Sequence, residues 1–190
     1  MIFRIDEKTL GKPSEATERT RISRANKKGL YFRLKRGLYS DDPKENPLWI
    51  ANAIRVPSYV SFEYALSLHG LIPEKVYEIT SATVDIRTRE VYINHFGRFS
   101  YRSVPKNVYS LGLVYSDQTC IASAEKALCD MLHAIRSVRN RKDLLALLFE
   151  DLRIDEDGFE SLDSETLVQF CNIYPGETFR VLKAFLEEKK

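Results

Sequence analysis

The sequence predicts an α+β fold in two parts, and three observations carry that reading. Residues 75–115 are dense in β-forming side chains interrupted by turns. Segments of helical period dominate from residue 119 onward. A loop at residues 41–47, kept irregular by Pro43 and Pro47, separates a basic head from the rest. The expected layout is a small N-terminal element over residues 1–42. A mixed α/β body follows over residues 48–190, with mostly antiparallel strands and C-terminal helices.

The head starts with polar, basic residues punctuated by Gly11 and Pro13, and residues 14–21 could form one short helical stretch. Ser23 is placed to cap a short turn to Lys28, which Gly29 would end. Leu30 to Ser40 reads as two short strands around Lys35, Arg36 and Gly37, with Gly37 supplying the positive φ of a tight turn. Basic residues at a hairpin tip suit a wing that reaches phosphates; the same residues also suit a plain basic surface hairpin. Residues 1–40 hold eleven Lys or Arg against four acids, whereas the whole chain is only +2. Such a head suggests an anionic partner, nucleic acid foremost, with a solvated surface as the bland alternative.

In the body, Leu48, Trp49 and Ile50 open a short helix that ends before Pro57. Ser61 is an expected N-cap for a helix whose Phe62, Ala65, Leu66 and His69 share one face, with Gly70 at its C-terminal cap. Three to five strands follow, with a polar connection at residues 85–90 and a turn at residues 95–98. A helix is expected from about Cys120 to Ile135, striped by Ile121, Ala124, Leu128, Met131, Leu132 and Ile135. Glu125, Lys126 and Asp130 fall outside that stripe and read as its solvated side. Arg136, Arg139, Arg141 and Lys142 form a second basic patch near a bend at Asn140. Further helices are expected at residues 143–152, from an Asp163 cap to Asn172, and from Glu177 to about Glu188 after the Pro175–Gly176 break.

The length and 44% hydrophobic content suffice for one sizeable core. No run of about 18 apolar residues exists, and charges interrupt the N-terminus at once, so a cytoplasmic protein with no membrane partner is expected. Cys120, Cys129 and Cys171 lack metal-ligand spacing and read as free thiols. The acids of residues 150–163 do not match an EF-hand loop. No glycine-rich phosphate loop, HExxH, GxSxG or paired-cysteine motif occurs, so no cofactor, metal or catalytic residue is assigned. An enzyme using Glu125, Asp130 or His133 on one helix surface is the remaining catalytic alternative.

Four segments in order carry a resemblance: Lys35 to Tyr39, Tyr59 to Leu71, Thr80 after a strand, and Ala124 to Asp130. Together they resemble the AbiEi antitoxin family, the regulator halves of type IV, AbiE-type toxin–antitoxin systems. The resemblance spans roughly residues 29–135. It implies a winged helix-turn-helix that binds the operon's own promoter DNA, here in a shortened, reduced form, and an α/β body linked to antitoxicity. It also implies a nucleotidyltransferase-like toxin as functional partner, without a required stable complex. By that resemblance Arg33, Lys35 and Arg36 belong to the wing, with Arg24, Lys27 and Lys28 as further phosphate contacts. Tyr59, Ser61, Ala65, Leu66, Gly70 and Leu71 match the opening of the second region. Glu125, Lys126, Leu128 and Asp130 match its helical signature. An interaction module without DNA binding is the other alternative.

Overall fold

The computed structural model describes residues 1–4, 20, 23–135 and 137–188. The stretch at residues 14–21 expected to be helical lies almost wholly outside them. Among the described residues, nine strands form two sheets. The small sheet joins β1 (Ile2–Arg4), β2 (Phe32–Lys35) and β3 (Leu38–Ser40) in the order β1-β3-β2, antiparallel throughout. The hairpin turn falls at Arg36 and Gly37, as the sequence predicts. The large sheet has the order β6-β7-β5-β4-β9-β8, from β4 (Ser58–Val60), β5 (Ile79–Thr83), β6 (Glu90–Asn94), β7 (Gly97–Ser103), β8 (Leu113–Ser116) and β9 (Thr119–Ala122).

The large sheet is mixed. Its β4–β5, β6–β7 and β8–β9 pairs are antiparallel, but β4–β9 and β5–β7 run parallel. The parallel neighbours are not consecutive in the chain: β6 intervenes between β5 and β7, and β5 to β8 intervene between β4 and β9. α2 (Phe62–Leu68) and α3 (Ala124–Ala134) pack on one face of the sheet. On that face Tyr59, Ala82 and Ala122 are buried together with Phe62, Leu66, Leu128 and Leu132. On the opposite face Val60, Ile79, Phe99 and Tyr101 pack against Ile50, Ala51 and Ile54 of α1 (Pro47–Ile54). Leu34 and Leu38 of the small sheet enter this second cluster, so the head and the body share apolar packing. Each such buried Leu or Ile contributes about 1.5–3 kcal/mol.

Several local expectations are corrected. Residues 119–122 are strand β9, and α3 starts only after Ser123, whose side chain accepts the Lys126 N–H. The apolar run there serves a buried strand and then a helix, which helical periodicity alone reads as one element. Pro47 does not bar structure; it is the first residue of α1, where its missing N–H costs nothing, behind an Asn46 cap. Ser61 stands at the N-cap position of α2 but makes no side-chain cap there. Its hydroxyl is used elsewhere.

The α2 terminus follows its prediction. Gly70 adopts φ +72°, Leu71 N–H donates to Leu66 O at 2.9 Å, and Gly70 N–H donates to Ser67 O at 3.2 Å. That is a Schellman closure, with Leu66 and Leu71 both buried beside it.

The C-terminal helices complete the first cluster. α4 (Arg141–Leu145) starts two residues before its expected position, behind an Asn140 cap, and passes into a π-helical turn at Ala146–Asp151. α5 (Glu156–Glu160), α6 (Ser164–Ile173) and α7 (Glu177–Glu188) follow. Asp163 caps α6, and Phe179, Leu182, Phe185 and Leu186 of α7 are all buried, as the stripe predicts. No helix among the described residues is long and apolar enough to cross a membrane.

Gly112 marks where α6 closes on α3. It has φ +56°, and a Cβ there would meet Phe170 Cζ at 2.9 Å, Lys126 Cβ at 3.0 Å and Ser123 Oγ at 3.1 Å. Gly112→Ala is expected to destabilise the fold by more than about 1 kcal/mol through both strain and crowding. Urea unfolding of the variant beside the parent checks this.

Candidate functional site

The residues singled out in the sequence fall at two places. The first is the basic head. Residues 23–27 are helical, and the turn closes at Gly29 through Lys28 N–H to Arg24 O and Leu30 N–H to Ala25 O, both 3.0 Å. Arg24, Lys27 and Lys28 are exposed on this turn, and Arg33 and Arg36 are exposed on the hairpin. Lys35 departs from the expected tip role. It is half-buried, and its ammonium donates to the Ile54 carbonyl at the end of α1. Carbonyls at a helix C-terminus attract a cation, so the side chain turns inward toward the body. Burial and the charges of Arg4 and Arg55 lower the Lys35 pKa, against the opposing pull of Glu90.

The second place is a buried polar cluster centred on Asp130. Lys126 and Asp130 lie one turn apart on α3, and neither is exposed to solvent. Lys126 Nζ donates to Asp130 Oδ1 at 2.7 Å. Tyr174, the C-cap of α6, donates to the same oxygen at 2.6 Å. Tyr59 of β4 and Ser61 just beyond it donate to Oδ2 at 2.9 and 2.7 Å. Lys126 also donates to the Tyr174 hydroxyl, and its ammonium lies 5.2 Å from the Tyr59 ring centre and 4.9 Å from that of Tyr174.

This corrects the reading of Lys126 and Asp130 as a solvated helix side. Asp130 accepts four hydrogen bonds, so a charge pair removed from water has its polar atoms satisfied. Tyr59 and Ser61 are brought to Asp130, and with it Lys126, from 71 and 69 residues away in the chain. Sequence reasoning missed Tyr174, which has no local signal. It is 44 positions from Asp130 and reaches it only because α6 packs on α3.

The surroundings set the ionisation of the cluster. Burial first, then the Asp130 charge, pushes the Tyr59 and Tyr174 hydroxyls far above the usual tyrosine range. Burial lowers the Lys126 pKa, with Asp130 acting to raise it. Burial also raises the Cys129 thiol well above its ordinary value and the Cys171 thiol to about 12. All three cysteines are free, with Cys120 half-buried.

Glu125 is bonded elsewhere, and His133 borders the cluster beside Tyr174. Glu125 Oε2 accepts from Ser123 Oγ at 2.9 Å, and its Oε1 accepts the Asp163 N–H at 3.2 Å, which ties the start of α3 to the cap of α6. His133 is half-buried, its ring centre 6.1 Å from that of Tyr174. Burial lowers its pKa. Gly70 serves the α2 cap described above. Among the described residues, no group of three or more His, Cys, Asp or Glu side chains is placed to hold a metal ion. A scan against protein-family models finds no match to the chain, and a search of curated proteins finds none either.

Asp130→Asn would leave the buried Lys126 ammonium without its counter-charge, and a loss of about 3–5 kcal/mol in urea unfolding is expected. The double variant Lys126→Met/Asp130→Leu removes both charges and should lose less than either single change.

The raised tyrosines give a pH dependence. Their folded pKa values lie above the unfolded value of 10, so the unfolded chain sheds protons first. The associated stability is full below pH 10 and is lost as pH rises beyond it. Lys126 acts in the opposite sense between its lowered pKa and 10.5, but Tyr59, Tyr101 and Tyr174 outnumber it. Urea midpoints should therefore fall between pH 10 and 11. Phenolate absorbance of these three tyrosines should appear only on unfolding.

Proposed function

We propose that this chain is an AbiEi-like bacterial transcriptional regulator and antitoxin. In this reading the N-terminal unit binds promoter DNA, and the α/β body counters a nucleotidyltransferase-like toxin in the cytoplasm. The observation that carries it is the layout of the head. A helical turn at residues 23–27 leads directly into the β2–β3 hairpin, and that hairpin pairs with an earlier strand in the order β1-β3-β2. A winged helix-turn-helix offers a helix and a wing to one duplex, and the helical turn beside this basic hairpin is what supports that reading. Arg24, Lys27, Lys28 and Arg33 are exposed on it. The convergence of Tyr59, Ser61, Lys126 and Asp130 gives a second support, because the resemblance rests on those two segments.

The mechanism follows from the charges. Lys and Arg on the turn and hairpin neutralise phosphates and release counterions, which positions the head but carries no sequence information. Base reading falls to side chains of the helical turn that enter the major groove. The body requires no cofactor in this reading, and its antitoxic action is separable from promoter occupancy.

Fluorescence anisotropy on DNA from just upstream of the gene, against scrambled DNA, over a salt series tests the proposal. Promoter-selective binding is expected. Replacing Arg24, Lys27 and Lys28 together with Ala should weaken it and flatten the salt slope by up to about 3, with toxin neutralisation in co-expression unchanged. Binding that is equal on both DNAs and abolished by salt would overturn the regulator reading.

A further inference from the structure

The two edges of the large sheet end differently. β6 lies against the small sheet, where Asn94 Nδ2 donates to the Leu34 carbonyl of β2 at 3.1 Å. β8 has β9 on one side, and among the described residues no strand pairs with its other side. Val114 is 51% exposed and Tyr115 is 73% exposed. Edge strands are ordinarily guarded by a lysine, a proline or a bulge. Leu113–Ser116 carries no charge and no proline, and its register with β9 runs without a shift.

We infer that β8 pairs antiparallel with β8 of a second copy of this chain, across a two-fold axis normal to the sheet. The faces dictate the register. Val114 lies opposite Ile121, which lies opposite Val60, so Val114 is on the α1 side. Leu113 and Tyr115 are on the α3 side, because Leu113 lies opposite Ala122. A two-fold axis normal to the sheet keeps each face on its own side, so residues of equal parity must meet. Val114 then opposes its own counterpart, and Leu113 opposes the copy's Tyr115 twice. Aliphatic–aromatic cross-strand pairs of this kind are favourable.

Charge selects a second copy over a foreign strand. The nearest charge in sequence, Asp117, lies in the β8–β9 turn beyond the paired residues, so the two Asp117 carboxylates fall at opposite ends of the paired segment. A charged foreign segment would find no counter-charge on Leu113–Ser116, whereas the strand's own copy is uncharged. Four residues cover less than the roughly 800 Å² per partner of a standard stable interface, so the pairing is concentration-dependent.

The inference does not rest on DNA binding, and its test omits DNA. Sedimentation velocity from low to high micromolar concentration should show the full chain moving from monomer to dimer. Val114→Lys sets two like charges face to face on the axis and should give a monomer at every concentration, with unchanged far-UV circular dichroism. Val114→Glu should do the same, and mixing the two variants should restore the dimer. Tyr115→Lys is a second variant expected to weaken dimerisation. A parent chain that stays monomeric throughout, or a dimer that all three variants leave intact, overturns the inference.

Discussion

Asp130 is the point on which the body depends. One carboxylate, withdrawn from water, receives hydrogen bonds from β4, from the residue that follows it, from its own helix and from the end of α6. A buried charge pair is costly to desolvate, and its Coulomb attraction offsets that cost only when the geometry is good and the remaining atoms are satisfied. Here every donor comes from an element that must be in place for the carboxylate to be neutralised. The cluster thus acts as a specification of the fold. A sheet shifted in register, or an α6 docked elsewhere, would leave an ionised group unpaired in the core.

The same economy explains how the head is held. Leu34 and Leu38 are buried against the α1 cluster while Arg33 and Arg36 stay exposed, so the hairpin packs on α1 and keeps those two charges in water. Lys35 reinforces this by closing on the Ile54 carbonyl. The orientation of the hairpin is consequently set by apolar packing on α1 as well as by the strand pairing within the head.

Much of the architecture was legible in the sequence where one local signal dominated. The Gly29 stop, the Gly37 turn, the Schellman closure at Gly70, the Asp163 cap and the α7 stripe all follow from neighbouring residues. The misreadings share a cause. Thr119 to Ala122 is apolar enough for either element, and only pairing with β8 and β4 makes it a strand. Ser61 is a good cap by type, but Asp130 competes for its hydroxyl and wins with a charge-assisted bond at 2.7 Å. Lys126 and Asp130 looked solvated because charged residues off an apolar stripe usually are.

The sequence by itself determined most of the elements and the basic head. Hydrophobic period, capping residues and glycine positions act over a few residues, and so they can be read in order along the chain. The tertiary structure alone decided the parallel pairings, the inward turn of Lys35, the recruitment of Tyr174 and the edge of β8 that no described strand pairs. Each of these depends on groups tens of residues apart meeting in a desolvated place. There the energy of a charge or a backbone edge is set by what packs against it, and no local pattern encodes that neighbour.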